Sequence, residues 1–530
     1  MTELSTWQFR RMHAGEMNID PIEAEFFSTE ALSSLTDALV REAIQNSLDA
    51  RQQDSVARVR MTFPRPDQML RGERRDCYVK ALWPHLLADR SGLAQTPSPD
   101  EPLSFLVFED FGTRGLQGDP SQSEDEEIGS SSMRNDFYYF WRNVGRSKKE
   151  SSDLGRWGLG KTVFPASSRV NAFFALTVRR EDGLRLLMGQ AVLRIHKLNG
   201  IRYYPYGYFA RFRDDFALPI EDHGFVDQFC DDFRVTRNRE PGLSVVIPFP
   251  DSELAPDAIV PSIVRHYFVP ILAGDLVVEL VYEGNSEVLD SVSLPRLLER
   301  IGWDKAHQLQ HLAELAHWGL QLPADQRTCL SRPTASSAPR WSDEVITDDT
   351  AEPVREAFNR GERIAVAVPV WVKPTGGSEV LSSFDVYLER DDSLSSGDDH
   401  FIREGITVAG VRCGLQAGVR AIVYVRDRSL SALLGDSENP AHTEWQERSV
   451  HFKRPIPARC IYLALREERS ARDRSHPHAA GGRTRFYAAA SHLRERDSDR
   501  RGGQAAHQIP ESTCRDGCKE RCRCRRYRRG

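Results

Sequence analysis

Glu42, Asn46 and Asp49 stand at i, i+4 and i+7 in the stretch LVREAIQNSLDA, residues 39–50. On a helix such positions stack over successive turns of one face. A carboxylate, an amide and a second carboxylate in a row can hold a hydrated cation and polarise a water. Leu35, Leu39, Ala43, Ile44 and Leu48 supply an apolar face beside them. The same pattern describes an ordinary amphipathic helix with a solvated side, so its chemistry depends on partners elsewhere in the chain.

Two later stretches offer partners. Phe105–Asp110 (FLVFED) is a short apolar run that reads as a buried strand delivering Asp110 to its end, followed by Gly112 and Gly115. Residues 145–168, GRSKKESSDLGRWGLGKTVFPASS, are basic at first and then glycine-rich, with Ser147, Lys148, Gly155, Gly158, Gly160 and Lys161 as candidates to meet phosphate. Gly155–Thr162 satisfies G-x4-G-K-[ST], in which backbone N–H groups cradle phosphates. That pattern requires a hydrophobic strand feeding the loop. Here the feeding residues are RSKKESSDL, and the acid-tipped strand precedes the loop instead of following it. A P-loop NTPase is therefore kept only as a further alternative.

In order, the chain carries E-x3-N-x2-D-A (Glu42, Asn46, Asp49, Ala50), a strand ending D-x-G (Asp110, Gly112), a Ser-Lys pair (Ser147, Lys148), G-x-x-G-x-G-K (Gly155 to Lys161) and a late strand opened by Gly242. This series resembles the GHKL ATPase superfamily: gyrase B, Bergerat-fold heat-shock chaperones, MutL, MORC proteins and sensor histidine kinases. The resemblance covers about residues 25–250. It implies ATP and Mg²⁺ as ligands, with Glu42 activating water, Asn46 binding Mg²⁺ and Asp49 supporting them. Asp110 would accept from the adenine amine, Gly112 and Gly115 would approach base or ribose, and Gly155, Gly158, Gly160 and Lys161 would meet phosphate. Ser147 and Lys148 would lie in a lid over about residues 117–160. Two departures stand out. The last glycine after Asp110 is one residue late, at Gly115, and the usual Gly-Thr of the late strand is Gly242-Leu243-Ser244, leaving Ser244 as a stand-in.

The resemblance further implies an ATP-driven clamp in which two chains dimerise, in bacterial DNA processing or phage defence with partner proteins and DNA. A non-hydrolysing nucleotide-sensing scaffold is the alternative. About 28 residues precede the first helix, too few for the phosphoacceptor domain of a histidine kinase. Lys373 and Arg403 are candidates to reach the γ-phosphate from a following domain.

The expected fold class is α+β, beginning with a Bergerat-type sandwich of a mixed sheet with helices on one face. The boundaries expected are an arm over 1–27, the ATP-binding domain over 28–252, a helical connector over 253–345, an α+β transducer-like domain over 346–465 and a basic low-complexity tail over 466–530, either disordered or translated in a shifted frame. Cys77–Leu87 reads equally as strand or helix, residues 200–241 as irregular, and residues 321–353 as a linker.

Composition is that of a globular chain: 530 residues, 40% hydrophobic and 28% charged. No apolar run reaches the ~18–20 residues of a membrane helix, and the N-terminus has no signal-peptide core. Nine cysteines at irregular spacing fit a reducing, cytoplasmic setting. Net charge is −6, but residues 466–530 hold 18 Lys and Arg against 9 Asp and Glu, so the first 465 residues carry −15. An acidic body excludes a global attraction for nucleic acid. The tail cysteines, 514, 518, 522 and 524, lack paired zinc spacing.

Overall fold

The computed structural model describes residues 6–21, 34–53, 55–124, 135–143, 160–300, 306–333, 347–373, 378–412, 414–435, 437–438 and 444–445. Ser147, Lys148, Gly155, Gly158, much of the expected lid and the whole basic tail lie outside them. Met1–Glu467 forms one compact unit; the other, Glu468–Gly530, contains no described residue.

The fold is α+β, built on two mixed sheets. The first comprises β1 (Thr6–Arg11), β2 (Ala57–Thr62), β3 (Phe105–Phe111), β4 (Ala172–Val178), β5 (Arg185–Val192), β6 (His196–Leu198), β7 (Ile201–Arg213), β8 (Phe216–Leu218), β9 (Gly242–Pro248), β10 (Leu276–Tyr282) and β11 (Asn285–Leu289). Its order is β1-β7-β5-β4-β9-β3-β2-β10-β11, with β6 and β8 paired to β7; β2 and β10 run parallel and the other pairs antiparallel. The second comprises β12 (Thr328–Cys329), β13 (Ile364–Val372), β14 (Val380–Arg390), β15 (Asp398–Arg403), β16 (Ile406–Thr407) and β17 (Val419–Val425), in the order β12-β13-β14-β17-β15-β16.

The described helices are α1 (Leu35–Asp49), α2 (Gly72–Val79), α3 (Trp83–Leu86), α4 (Asp136–Arg142), α5 (Val163–Ala166), α6 (His223–Phe233), α7 (Pro256–Leu272), α8 (Ser293–Arg300), α9 (Ala306–Gln321), α10 (Asp348–Asn359) and α11 (Arg428–Gly435). The stretch Cys77–Leu87 is thus helical, divided between α2 and α3. The end of the expected linker is taken up by α10.

Strand alternation decides which side chains meet α1. Val59 and Met61 of β2 and Leu106 and Phe108 of β3 share a core with Ala38, Leu39, Ala43 and Ile44 of α1 and with α7. Phe105 and Val107 point the other way, into a second core with Tyr78, Trp83, Phe229 and Phe233. Helices therefore cover both faces of the first sheet. With a period of two, Asp110 falls on the α1 side and Glu109 on the other.

Residues 200–241, expected to be irregular, contain the 13-residue strand β7 and the helix α6. Pro205 lies within β7 and cannot donate to a ladder. The register with β1 shifts between Phe9 and Arg11, opposite that proline, so the bulge accommodates the missing donor.

Helix α7 is kinked at Tyr267, where φ is −130°. Pro270 lacks the N–H that would bond the His266 carbonyl and its ring crowds that carbonyl. Thr407 of β16 donates its hydroxyl there at 3.3 Å. A backbone acceptor freed by proline thereby becomes a tie between α7 and the second sheet.

Candidate active site

The Ser34 hydroxyl accepts from the Asp37 N–H at 3.1 Å and caps α1. The cap and the apolar face fix the rotation of the helix, with Glu42 buried and Asn46 and Asp49 half-buried. Gly160 comes down directly on this face. A Cβ at that position would lie 2.4 Å from Glu42 Oε2 and 3.4 Å from Asn46 Nδ2. The far end of the glycine-rich stretch thus meets the carboxylate and amide that the sequence singles out, at a spacing that only glycine allows without displacing them. Asp49 accepts from Gln45 Nε2 at 2.9 Å through its carboxylate, and from Arg114 Nη1 at 3.0 Å through its carbonyl.

Asp110 ends β3 and is buried beside α1. Its Oδ1 accepts from Thr113 Oγ1 at 2.6 Å and from the Leu243 N–H at 2.8 Å, and its Oδ2 lies 3.4 Å from Ser47 Oγ. Arg237 Nη2 sits 3.8 Å from Oδ1 and donates to the Asp110 carbonyl. Burial pushes the Asp110 carboxyl above its ordinary range, against the opposing pull of Arg237, Thr113 and Leu243. Gly242, with φ of +144°, allows Arg237 and Asp110 to close on β9: a Cβ there would lie 2.5 Å from both Arg237 Nη1 and the Asp110 carbonyl oxygen.

Ser244 does not reach Asp110. It pairs in register with Glu109, so its side chain occupies the opposite face. Its hydroxyl donates to Glu109 Oε1 at 3.1 Å and accepts from Arg237 Nε at 2.8 Å. The hydroxyl that does bond the Asp110 carboxylate closely is that of Thr113. Gly112 and Gly115 approach the protein's own backbone. Cβ atoms on them would stand 2.3 Å from the Val56 and Val178 carbonyl oxygens. They set the loop that carries Thr113 and Arg114.

Lys161 is buried at the C-terminal end of α4, where Nζ donates to the carbonyls of Tyr139 (3.0 Å), Asn143 (2.6 Å) and Phe140. A cation at the C-terminal end of a helix is stabilised by such carbonyls and by the helix dipole. Helix α5, which follows Lys161, has four residues. A committed lysine and one turn of helix differ from a P-loop, whose lysine faces phosphate at the head of a full helix.

The face of α1 away from Glu42 carries a buried polar network. Arg41 Nη1 donates to the Thr407 carbonyl at 2.9 Å and to His266 Nδ1 at 3.0 Å. His266 Nε2 donates to Asp37 Oδ1 at 3.2 Å, and Asp37 also accepts from Ser262 and Arg265. The Arg41 bond requires a lone pair on Nδ1, so His266 is held neutral. Burial, with Arg41 beside it, lowers the His266 pKa from 6.5 to about 4. The unfolded chain then binds this proton more readily than the folded one. Stability is complete above about pH 6.5 and is lost as pH falls toward 4, by on the order of 3 kcal/mol from this group. Urea midpoints across this window should drop more steeply in the wild type than in His266→Asn. Equal slopes would remove the assignment.

Arg403 is buried in a bidentate pair with Glu438 and is also held by Ser431. Lys373 is exposed at the end of β13. Neither is placed on Glu42.

No protein-family model matches this chain, and no curated protein is similar to it. Solved structures similar to it include the ATPase region of Saccharomyces cerevisiae topoisomerase II bound to ICRF-187 (dexrazoxane). That likeness has 9% identity and a TM-score of 0.34, over 82% of this chain and 85% of that one. A second structure of the same region gives 10% identity and a TM-score of 0.33, over 82% and 84%. Among the described residues no helix is long and apolar enough to cross a membrane.

Proposed function

We propose that this chain is a GHKL-type ATPase whose reaction is carried out on α1. The observation that carries the reading is the seat of Gly160 on Glu42 and Asn46, which joins the two sequence boxes that a phosphate site of this kind needs. Glu42 acts as the base that orients and polarises the attacking water, helped by a buried setting in which a carboxylate is a stronger hydrogen-bond acceptor. Asn46 contributes its amide oxygen to Mg²⁺. Among the described residues no cluster of three or more His, Cys, Asp or Glu could hold a metal. One amide oxygen with phosphates and waters would suit Mg²⁺, which keeps much of its hydration. The ion would supply charge neutralisation at the phosphates.

Asp110 reads the base. Its Oδ1 is saturated by Thr113 and Leu243, which leaves Oδ2, with its long contact to Ser47, to accept from an exocyclic amine. Closure of residues 117–160 over ATP and dimerisation of two chains complete the cycle, and hydrolysis reopens it. The tie from Arg41 to Thr407 gives the second sheet a grip on the helix that carries Glu42.

The test is steady-state phosphate release from ATP by the full chain with Mg²⁺ and with chelator. Mg²⁺-dependent turnover is expected. Tight ATP binding without turnover would replace this reading with a nucleotide-sensing scaffold.

A further inference from the structure

A second cavity lies on the face of the first sheet opposite α1. It measures about 390 Å³ and is lined by residues of β2, the turn after it, the end of α6 and the β10–β11 hairpin. That size falls within the ~300–1,000 Å³ of small-molecule pockets. Three arginines line it: Arg60 and Arg65, from β2 and the turn after it, and Arg234, from the end of α6. Arg60 has one terminal nitrogen on Glu279 at 2.8 Å and its buried Nε unpartnered; the neighbouring Thr62 hydroxyl is buried and unpartnered too. Arg65 is held by Asp67 at 3.2 Å on the exposed rim. Arg234 pairs with no acid among the described residues. It closes α6 with φ of +58°, a left-handed conformation that usually belongs to glycine. Arg234 carries its charge to this wall at the cost of a left-handed backbone. Asp231 is the acid of the lining, and Phe63, Val235 and Val281 give it apolar walls.

We infer that this cavity binds a small phosphomonoester, its phosphate between Arg60 and Arg234 and its organic part against Val235 and Phe63. Two planar forks approaching from different elements suit a tetrahedral dianion, which can accept several charge-assisted hydrogen bonds at once. The mixed walls favour an organic phosphate over the bare ion. The inference is independent of the ATP reading, since Val59 and Met61, not Arg60 and Thr62, face α1.

Calorimetric titration of the full chain with phenyl phosphate, and with inorganic phosphate for comparison, tests it. Saturable binding of phenyl phosphate is expected, tighter than that of inorganic phosphate. Loss of one charge-assisted contact should weaken it roughly tenfold in Arg234→Gly and in Arg60→Gln, with Arg234→Lys between. Arg234→Gly removes the charge while relieving the left-handed backbone, so its Tm should rise and lost binding cannot be ascribed to unfolding. The inference is overturned if phenyl phosphate gives no saturable signal, or if its affinity is unchanged in both Arg234→Gly and Arg60→Gln.

Discussion

Glu42→Ala should lose ATP turnover by ~10²–10⁴-fold, the range for removing a positioned general base, while ATP affinity is kept or slightly raised. The carboxylate is buried under Gly160, and on the proposed reading it would stand near the bound phosphates and repel them. Deleting it removes that repulsion together with the base. The side chain sits on a helix whose position is set by other residues: the Ser34 cap, the apolar face against β2 and β3, and the Arg41 bonds on the far side. The helix should therefore survive the substitution. Glu42→Gln keeps the volume and should fail to the same degree, which separates chemistry from packing. Phosphate release and calorimetric ATP binding on the same preparations decide it. Retained turnover in both variants would exclude Glu42 as the base, and joint loss of binding would make it a structural residue.

How far the site was legible depends on how local its signals are. The i, i+4, i+7 spacing of Glu42, Asn46 and Asp49 is a property of one helix, and α1 forms where it is expected. The FLVFED run likewise forms β3 and brings Asp110 to the α1 side, because alternation from Leu106 and Phe108 leaves it no other face. Residues that act through tertiary partners were not legible. Arg237 lies 127 positions from Asp110, in a stretch whose composition reads as irregular, and only the pairing of β3 with β9 brings them together. Ser244 illustrates the same limit: its type is right, but a one-residue offset along a strand reverses its face. Lys161 follows a glycine motif that reads as phosphate-binding, yet the carbonyls it satisfies belong to α4, some twenty residues earlier in the chain. Thr113 could have been found, because a hydroxyl three residues after an aspartate is within reach of a turn back to it.

The buried polar face of α1 is likewise not legible in the sequence. Asp37 and Arg41 look like ordinary solvated charges in sequence. Their partners come from α7 and β16, one of them a carbonyl of the second sheet, and the buried guanidinium is stabilised by the bonds its Nη1 makes to His266 and Thr407. Helix α1 is therefore held on one side by the second sheet and carries Glu42 toward Gly160.

Asp110→Asn should weaken ATP binding by about 10- to 150-fold, the equivalent of one lost hydrogen bond to a charged group. Asparagine can place its amide oxygen where Oδ1 stands, so the bonds from Thr113 and Leu243 are kept and β3 stays closed on β9. Its NH₂ then takes the place of Oδ2. An acceptor becomes a donor, and it faces the adenine amine, itself a donor. GTP presents a carbonyl oxygen at the same position of its base and should lose less affinity or gain some. The decisive quantity is therefore the ratio of ATP to GTP affinity, which should fall in Asp110→Asn whatever happens to overall stability. Asp110→Ala cannot answer the question as cleanly, because it also strips one of the acids beside the buried Arg237 guanidinium and the bonds from Thr113 and Leu243. If the ATP to GTP ratio stays at the wild-type value in Asp110→Asn, base recognition lies elsewhere and Asp110 serves only to lock β3 to Arg237.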